Sequence, residues 1–484
     1  MAGIIFLAMF LRLLALVKYG DFWDDEMFNY IYSQKPWPDG LFYWLWETNP
    51  PLHLLILKIW FFIVPATEFF ARLPGVIIGT ITVPALYYFG KNLFDKNTAI
   101  LAAFYLAIHP YHIFWSATAR VYIFLMFLVV CSSFYFFKIY INEERNKKNI
   151  LYQKIITLFL LMSHLSALFF LAGQTIIIFI TKGFQVVKQW GKDNLIPLIF
   201  GGGWIILAIL IKINNNLANS WFLNIKHSFK SAVNPFFNLI AGQINIWFGV
   251  LLLIFFFGTV MYYFANKINN KEKKYQFGIL IFLFFCPIFF SLMFGVWHIK
   301  FFISILPLFV LIFAGALNNL FKQKIFSLII ITIICFVGLI NLFNTLPLSN
   351  WKSINNFIEN QIENKKNDSI FIYNNYILKT QIDRYLTGIN IPAIPLILYE
   401  QMEWDDMVVK KNYLFIQLNE EEKNNWYKNN KLDNYKKIIL LEGEYDYMNK
   451  LKNTFIKNGW VITGEQKTAN IAGAYYLYVF ERDN

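Results

Sequence analysis

Residues 324–345 read KIFSLIIITIICFVGLINLFNT, and residues 346–368 follow at once as LPLSNWKSINNFIENQIENKKND. The first stretch carries no charge after Lys324. As a helix it is about 33 Å long, enough to cross a hydrocarbon core of about 30 Å. The second is mixed and rich in Asn, Lys and Glu, so the chain leaves the membrane near Thr345. Upstream, comparable apolar runs recur back to Met1. Composition agrees: 57% of the 484 residues are hydrophobic, 20% aromatic and 15% charged, with a mean hydropathy of +0.45. That balance excludes a water-soluble protein. The expected organisation is a polytopic α-helical membrane domain over residues 1–345 and a second domain over 346–484. The first run has no charged leader and no small-residue cleavage site, and reads as a retained helix.

The formal charge of +13 sits mainly in short loops beside apolar runs and in the tail, which points to topology and anionic headgroups and excludes nucleic acid as the partner. Cys131, Cys286 and Cys335 lie within apolar runs, as small buried side chains do. The basic loops 142–154, 182–192, 267–274 and 322–324, with Lys91 and Lys96, mark the inner side. The turns at 110–118, near His164, at 214–239 and at 297–300 then face outward, as does the tail. Residues 50–64 break this count. They would form a helix of about 22 Å and carry His53 and Lys58, so the segment is expected to dip or lie obliquely and return, leaving about 11 full crossings. The alternative is a short crossing with a shifted frame. In the tail, 369–373, 413–418, 437–441 and 475–480 read as strands between polar helices such as 445–457, giving a small α/β domain.

Asp21, Asp24, Asp25 and Glu26 crowd the first outer loop, 20–50, just before a helical stretch. Carboxylates there serve equally as caps on the positive end of a helix dipole. An aromatic stretch, 37–46, follows, then Asn49-Pro50-Pro51-Leu52-His53, then residues 68–75 around Arg72. The basic turn 90–94 comes next, with His109-Pro110-Tyr111-His112 leading to Ala119-Arg120-Val121-Tyr122. Arg72, Arg120 and Lys300 fall at the outer ends of apolar segments, where a cation either snorkels to headgroups or is used by a ligand. His53, His112, His164 and His298 share that side.

This order of motifs resembles the lipid-linked-sugar glycosyltransferases of the GT-C fold, in the bacterial branch of the protein O-mannosyltransferases and the aminoarabinose transferase of lipid A. The resemblance is colinear from Asp21 to about Tyr122. It continues through Ser163-His164, through His298-Ile299-Lys300-Phe301-Phe302, and through Asn350-Trp351-Lys352 at the start of the tail. It implies a catalytic base in the first outer loop, matching Asp25 of the Asp25-Glu26 pair. Neighbours on a helix lie about 100° apart, so the two carboxylates should not reach one atom, and Glu26 would instead orient the surroundings. Arg120 and Lys300, with Arg72 and with His164 and His298 as weaker partners, would hold the phosphate of a lipid carrier. The aromatic stretch 42–46 would pack against sugar or prenyl chain.

The chain departs from the family at Asn49, at Thr118 in place of an acid, and at Lys300-Phe301 in place of Arg-Tyr. A Lys keeps the charge but loses the bidentate fork. No nucleotide-binding GxGxxG or GxxxxGK pattern is present, which suits a lipid donor. The acidic cluster could take a divalent cation through oxygen, but no HxxxH or CxxC spacing occurs, and no metal or other cofactor is expected. The expected protein is an inverting enzyme of the cytoplasmic membrane, with its active site and tail on the extracytoplasmic side. It would move a sugar from a polyprenyl phosphate to the hydroxyl of a glycan, lipid or protein acceptor. A transporter or flippase of lipid-linked saccharide, or a transferase of whole lipid-linked oligosaccharides, is the rival. Paired repeats, which transporters often show, are not seen.

Overall fold

The computed structural model describes residues 1–46, 49–214, 229–242, 245–268, 270–295, 302–321, 323–347, 350–362, 368–373, 382–386, 392–395, 420–443, 451–470 and 473–482. They fall into two units: Met1–Val17 with Tyr32–Thr345, and Lys18–Ile31 with Leu346–Asn484. The acidic segment therefore groups with the tail and not with the helices that follow it in sequence.

The first unit is helical. In chain order it begins with α1 (Ala2–Lys18), α2 (Asp24–Gln34), α3 (Asp39–Trp46), α4 (Leu52–Trp60), α5 (Glu68–Leu93), α6 (Lys96–Ile108), α7 (Pro110–Ser116), α8 (Tyr122–Phe136), α9 (Lys147–Leu161) and α10 (Ala167–Lys182). All of α1 except Lys18, and of α2 only the part from Tyr32, belong to this unit. The starts of α5 and α6 are written in the sequence. Thr67 Oγ1 accepts from the Phe70 amide, and Asp95 accepts from the amides of Asn97 and Thr98. Each capping oxygen satisfies a first-turn donor that has no partner inside the helix.

Prolines interrupt the hydrogen-bond ladder at two places, within α5 and between α6 and α7, and in each case a side chain donates to the carbonyl concerned. Pro74 has no N–H for the oxygen of Phe70, four residues earlier, and the Trp60 indole donates to it instead at 2.8 Å. Pro110 likewise has no N–H for Leu106 O, which is left a long contact from the His109 amide at 3.4 Å, and α6 and α7 meet at an angle of 59°. The Arg12 guanidinium donates to Leu106 O at 3.2 Å and to Ala107 O at 3.0 Å. Such replacement is what allows a broken helix inside a bilayer, where no water can stand in.

Around these elements packs one large apolar core. Helix Ile303–Leu320 runs through it and is buried almost throughout. Among the described residues six helices are long and apolar enough to cross a membrane, or eight if each of two bent pairs is one span. The sequence reading expected about 11. Among the described residues one shorter apolar helix, α10, has 16 residues, and α1 and α9 have 17 and 15. Helix α4 has nine residues, about 14 Å, far short of a crossing. Arg145 and Asp193 tie two basic loops together through paired contacts of 2.6 and 3.0 Å.

The second unit is built on a five-stranded sheet of order β2-β1-β3-β5-β4, with β1 Ser369–Tyr373, β2 Ala393–Pro395, β3 Lys437–Gly443, β4 Val461–Asn470 and β5 Gly473–Glu481. β1 pairs in parallel with β2 and β3, whereas β5 runs antiparallel to β3 and β4. Both faces of the central strands are covered. Phe371, Tyr373, Ile439 and Leu441 meet Trp351, Ile354, Ile358 and Ile362, which repeat along one side of helix Trp351–Ile362. Ile370, Ile372, Ile438 and Leu440 meet Trp426, Phe455 and Trp460 on the other face. The strand expected at 413–418 lies outside the described residues, as does the first part of the helix expected at 445–457. Beside the second core, Tyr427 donates to Asp433 at 2.6 Å, and Arg482 pairs with the same carboxylate. The two together hold Asp433 below the usual carboxylate range.

Candidate active site

Helix α2 starts where Trp23 O receives the amides of Glu26 and Met27, each at 2.9 Å. Its first turn presents Asp25 half-buried and Glu26 fully buried. This difference is what two neighbours about 100° apart on a helix should show. Asp21 is engaged elsewhere in its own unit, its Oδ2 accepting from the Trp351 amide at 2.6 Å. The side chain of Asp24 lies outside the described residues.

In the first unit, α4, α8 and the turns at 116–122 and 162–166 bring a second group of polar side chains together. The Leu52 amide donates to Met162 O at 2.9 Å, which fixes the start of α4 against the turn that carries His164. His53 lies edge-on to Phe124 at 5.6 Å and is close enough to Arg120 to feel its charge. Arg120 sits over the Tyr122 ring at 5.8 Å, and that ring is 5.6 Å from His164. The Ser166 amide donates to His164 Nδ1 at 3.1 Å, so in the neutral ring the proton belongs on Nε2, a donor well suited to an anionic oxygen.

Arg72 and Arg120 are only 1% and 5% exposed. Both are therefore inside the protein, and snorkelling to headgroups does not describe them. A buried guanidinium is costly unless its hydrogens are used. The start of α5, which carries Arg72, lies against the turn that leads to Arg120. A Cβ on Gly75 would come within 2.7 Å of Ser116 O and 3.2 Å of Thr118 O, so only glycine permits this approach. Thr118, where the family has an acid, turns its hydroxyl onto Trp115 O at 2.9 Å. Lys300 and His298 lie outside the described residues, as do the side chains of Phe42, Tyr43 and Trp46. Among the described residues no three His, Cys, Asp or Glu side chains converge as a metal site requires.

Arg12 is the residue that sequence reasoning passed over. It is completely buried, and besides the two carbonyls of α6 it donates to Ala8 O at 2.7 Å and to His112 Nδ1 at 2.6 Å. An arginine cannot accept, so His112 is the acceptor and carries its proton on Nε2. The signal was available: a lone arginine in the middle of an apolar helix is expensive and points to a specific partner. A separate cavity of about 210 Å³ lies among Asp95, Tyr263, Lys267, Lys273, Gln276 and Asn319, and holds none of the candidate catalytic or phosphate-binding residues.

Residues 48–211 match the family model of dolichyl-phosphate-mannose-protein mannosyltransferase. In structure the chain is similar to ArnT from Cupriavidus metallidurans in the apo state, with a TM-score of 0.59 and 11% identity over 99% of this chain and 97% of that one. It is equally similar to ArnT bound to undecaprenyl phosphate, at 10% identity. The oligosaccharyltransferase of Archaeoglobus fulgidus gives a TM-score of 0.53 at 12% identity, over 90% of this chain and 69% of that one. No curated protein matches the chain in sequence. At these identities the likeness establishes the fold. The chain thus has the GT-C fold seen in ArnT, with several helices long and apolar enough to cross a membrane, and its residues 48–211 match the mannosyltransferase model.

Proposed function

We propose that the chain is an inverting glycosyltransferase of the cytoplasmic membrane, taking a sugar from a polyprenyl phosphate on the outer face and passing it to an acceptor hydroxyl. Asp25 removes the hydroxyl proton as the acceptor oxygen attacks the anomeric carbon. The bond from that carbon to the phosphate oxygen breaks, and its electron pair leaves with the lipid phosphate. Arg120 and Lys300, with Arg72, His164 and His298, stabilise the charge that gathers there. Glu26 orients the groups around Asp25. The acceptor is a glycan, lipid or protein, and the surrounding partners are membrane lipids.

The observation that carries this reading is the burial of Arg120 among His53, Tyr122 and His164. Cations and donors gathered in a dry setting suit a phosphate better than a solvated or neutral ligand. ArnT supports the choice of carrier, since its solved complex holds undecaprenyl phosphate. Its near-complete coverage, against 69% of the oligosaccharyltransferase, favours transfer of one sugar over a whole oligosaccharide. In this reading α1, α9 and α10 cross beside the eight candidate spans, and α4, at nine residues, returns without crossing.

Two measurements test this. Single-turnover transfer at saturating donor should fall about 100-fold in Arg120→Gln, with weaker donor binding, because the contact strengthens as the leaving oxygen becomes charged. Lys91→Gln, on an inner basic turn, should match wild type. Equal rates in all three proteins would take Arg120 out of the reaction. For the orientation, a cysteine at Asn429 should react with an impermeant thiol reagent in intact cells, and one at Lys147 should not. The reverse labelling would put the tail inside.

A further inference from the structure

Resting on the functional reading above, we propose that the tail positions the candidate base: Trp351, Arg384 and Tyr385 hold the segment that carries Asp25 and Glu26, from both sides. All of these residues belong to the second unit. Residues 21–23 lie outside any helix, so their amides have no intrahelical partner, and a buried amide needs one. The Phe22 amide finds it in the Tyr385 hydroxyl, at 2.8 Å and 363 positions away.

In the other direction, the first amide of helix Trp351–Ile362 donates to Asp21 Oδ2 at 2.6 Å across 330 positions. Such a first-turn donor is normally capped by the residue just before the helix. Here Asn350 does part of that work, accepting from Ser353 at 3.0 Å, while the Trp351 amide is served by the acidic segment. An anion at a helix start is further favoured by the dipole. Asp21 thus serves a structural contact at this helix start.

Rings and a cation complete the hold on the far side of the pair. The Arg384 guanidinium lies 4.4 Å from the centre of the Tyr30 ring, 5.3 Å from that of Phe22 and 5.6 Å from that of Tyr385. Phe22 and Tyr30 are themselves 5.2 Å apart, and Tyr385 stacks on the fully buried Trp351 at 6.1 Å with an interplanar angle of 13°. Asp25 and Glu26 lie in sequence between Phe22 and Tyr30, so the turn that presents them is fastened before and after. A carboxylate that must meet an acceptor hydroxyl gains much of its effect from being held in place, and an error of about 1 Å can cost 10²-fold. Trp351, Arg384 and Tyr385 are positioning residues: they act through Asp25 and need not touch substrate.

The full-length protein in detergent or nanodiscs is compared with Tyr385→Phe, Arg384→Ala and Arg384→Lys. Tyr385→Phe keeps the ring on Trp351 and removes only the acceptor for Phe22. Amide exchange over residues 18–31 should speed up about 10-fold or more in Tyr385→Phe and in Arg384→Ala, while β3 keeps its protection. Single-turnover transfer should fall about 10-fold with half-saturation by donor within about 2-fold of wild type, since positioning of the base changes rate and not donor affinity. Arg384→Lys, with the charge but not the flat fork, should recover part of the loss. Unchanged exchange over 18–31 would overturn the hold itself. Faster exchange with an unchanged rate would overturn its catalytic purpose, and equal loss of protection in β3 would reduce it to general stability of the unit. If wild-type protein transfers nothing, the functional reading fails, and exchange still decides whether the tail holds the segment.

Discussion

Asp25→Asn should lower the rate of transfer by at least about 100-fold while donor binding and membrane insertion stay intact. The amide keeps the size of the carboxylate and cannot take a proton from the acceptor, and general-base catalysis contributes about 10² to 10⁴ in rate. The half-buried position of Asp25 at the first turn of α2 gives the side chain a path to an acceptor that the fully buried Glu26 lacks. Glu26→Gln should accordingly cost less than Asp25→Asn. A variant with asparagine at 25 that transfers at near the wild-type rate would remove Asp25 from the reaction. The assay needs single-turnover conditions, because release of the lipid product can mask a slower chemical step.

The largest expected loss of stability is at Arg12. Arg12→Met preserves length but removes the guanidinium donors to the oxygens of Leu106 and Ala107, in a place that water does not reach, and leaves Leu106 O with only the long contact from the His109 amide at 3.4 Å. An unsatisfied buried carbonyl costs about 1–3 kcal/mol, the expected loss for Ala107 O, with smaller losses from the weakened Leu106 O and the lost contact with His112. Thermal unfolding in detergent should move down by several degrees, with Arg12→Lys intermediate because one ammonium cannot reach all four acceptors. The bend at His109-Pro110 also sets the direction of α7 and of the turn that ends in Arg120, so activity should fall with stability. An unchanged melting temperature in Arg12→Met would show that the bend holds itself.

What the sequence made legible follows from which interactions are local. Long apolar runs announced the membrane helices, because a bilayer demands their length. The central strands were visible because both faces of β1 and β3 are buried, which leaves nearly unbroken apolar stretches at 370–373 and 438–441. β4, VITGEQKTAN, passed unnoticed: it lies at the edge of the sheet and most of its side chains are polar. β2, three residues long, ending in Pro395 and preceded by Pro392, carries too little pattern to read.

Arg72 and Arg120 stood out as cations at helix ends, but their burial did not, since it depends on tertiary packing that no local pattern records. The contacts from Asp21 and Phe22 to the tail bridge more than 300 positions, and no spacing rule connects residues so far apart. Arg12 was hidden for a related reason, as its partners lie some 95 positions downstream.

The central claim is that a lipid phosphate carries the sugar. Purified protein in nanodiscs is given a radiolabelled sugar on a polyprenyl phosphate, and separately the same sugar on a nucleotide, each with membrane extract as acceptor source. Transfer from the lipid donor with release of polyprenyl phosphate, no transfer from the nucleotide, and loss of both events in Asp25→Asn is the predicted result. Transfer from the nucleotide sugar, or movement of the intact lipid-linked sugar across the bilayer with its bond to phosphate unbroken, would contradict it.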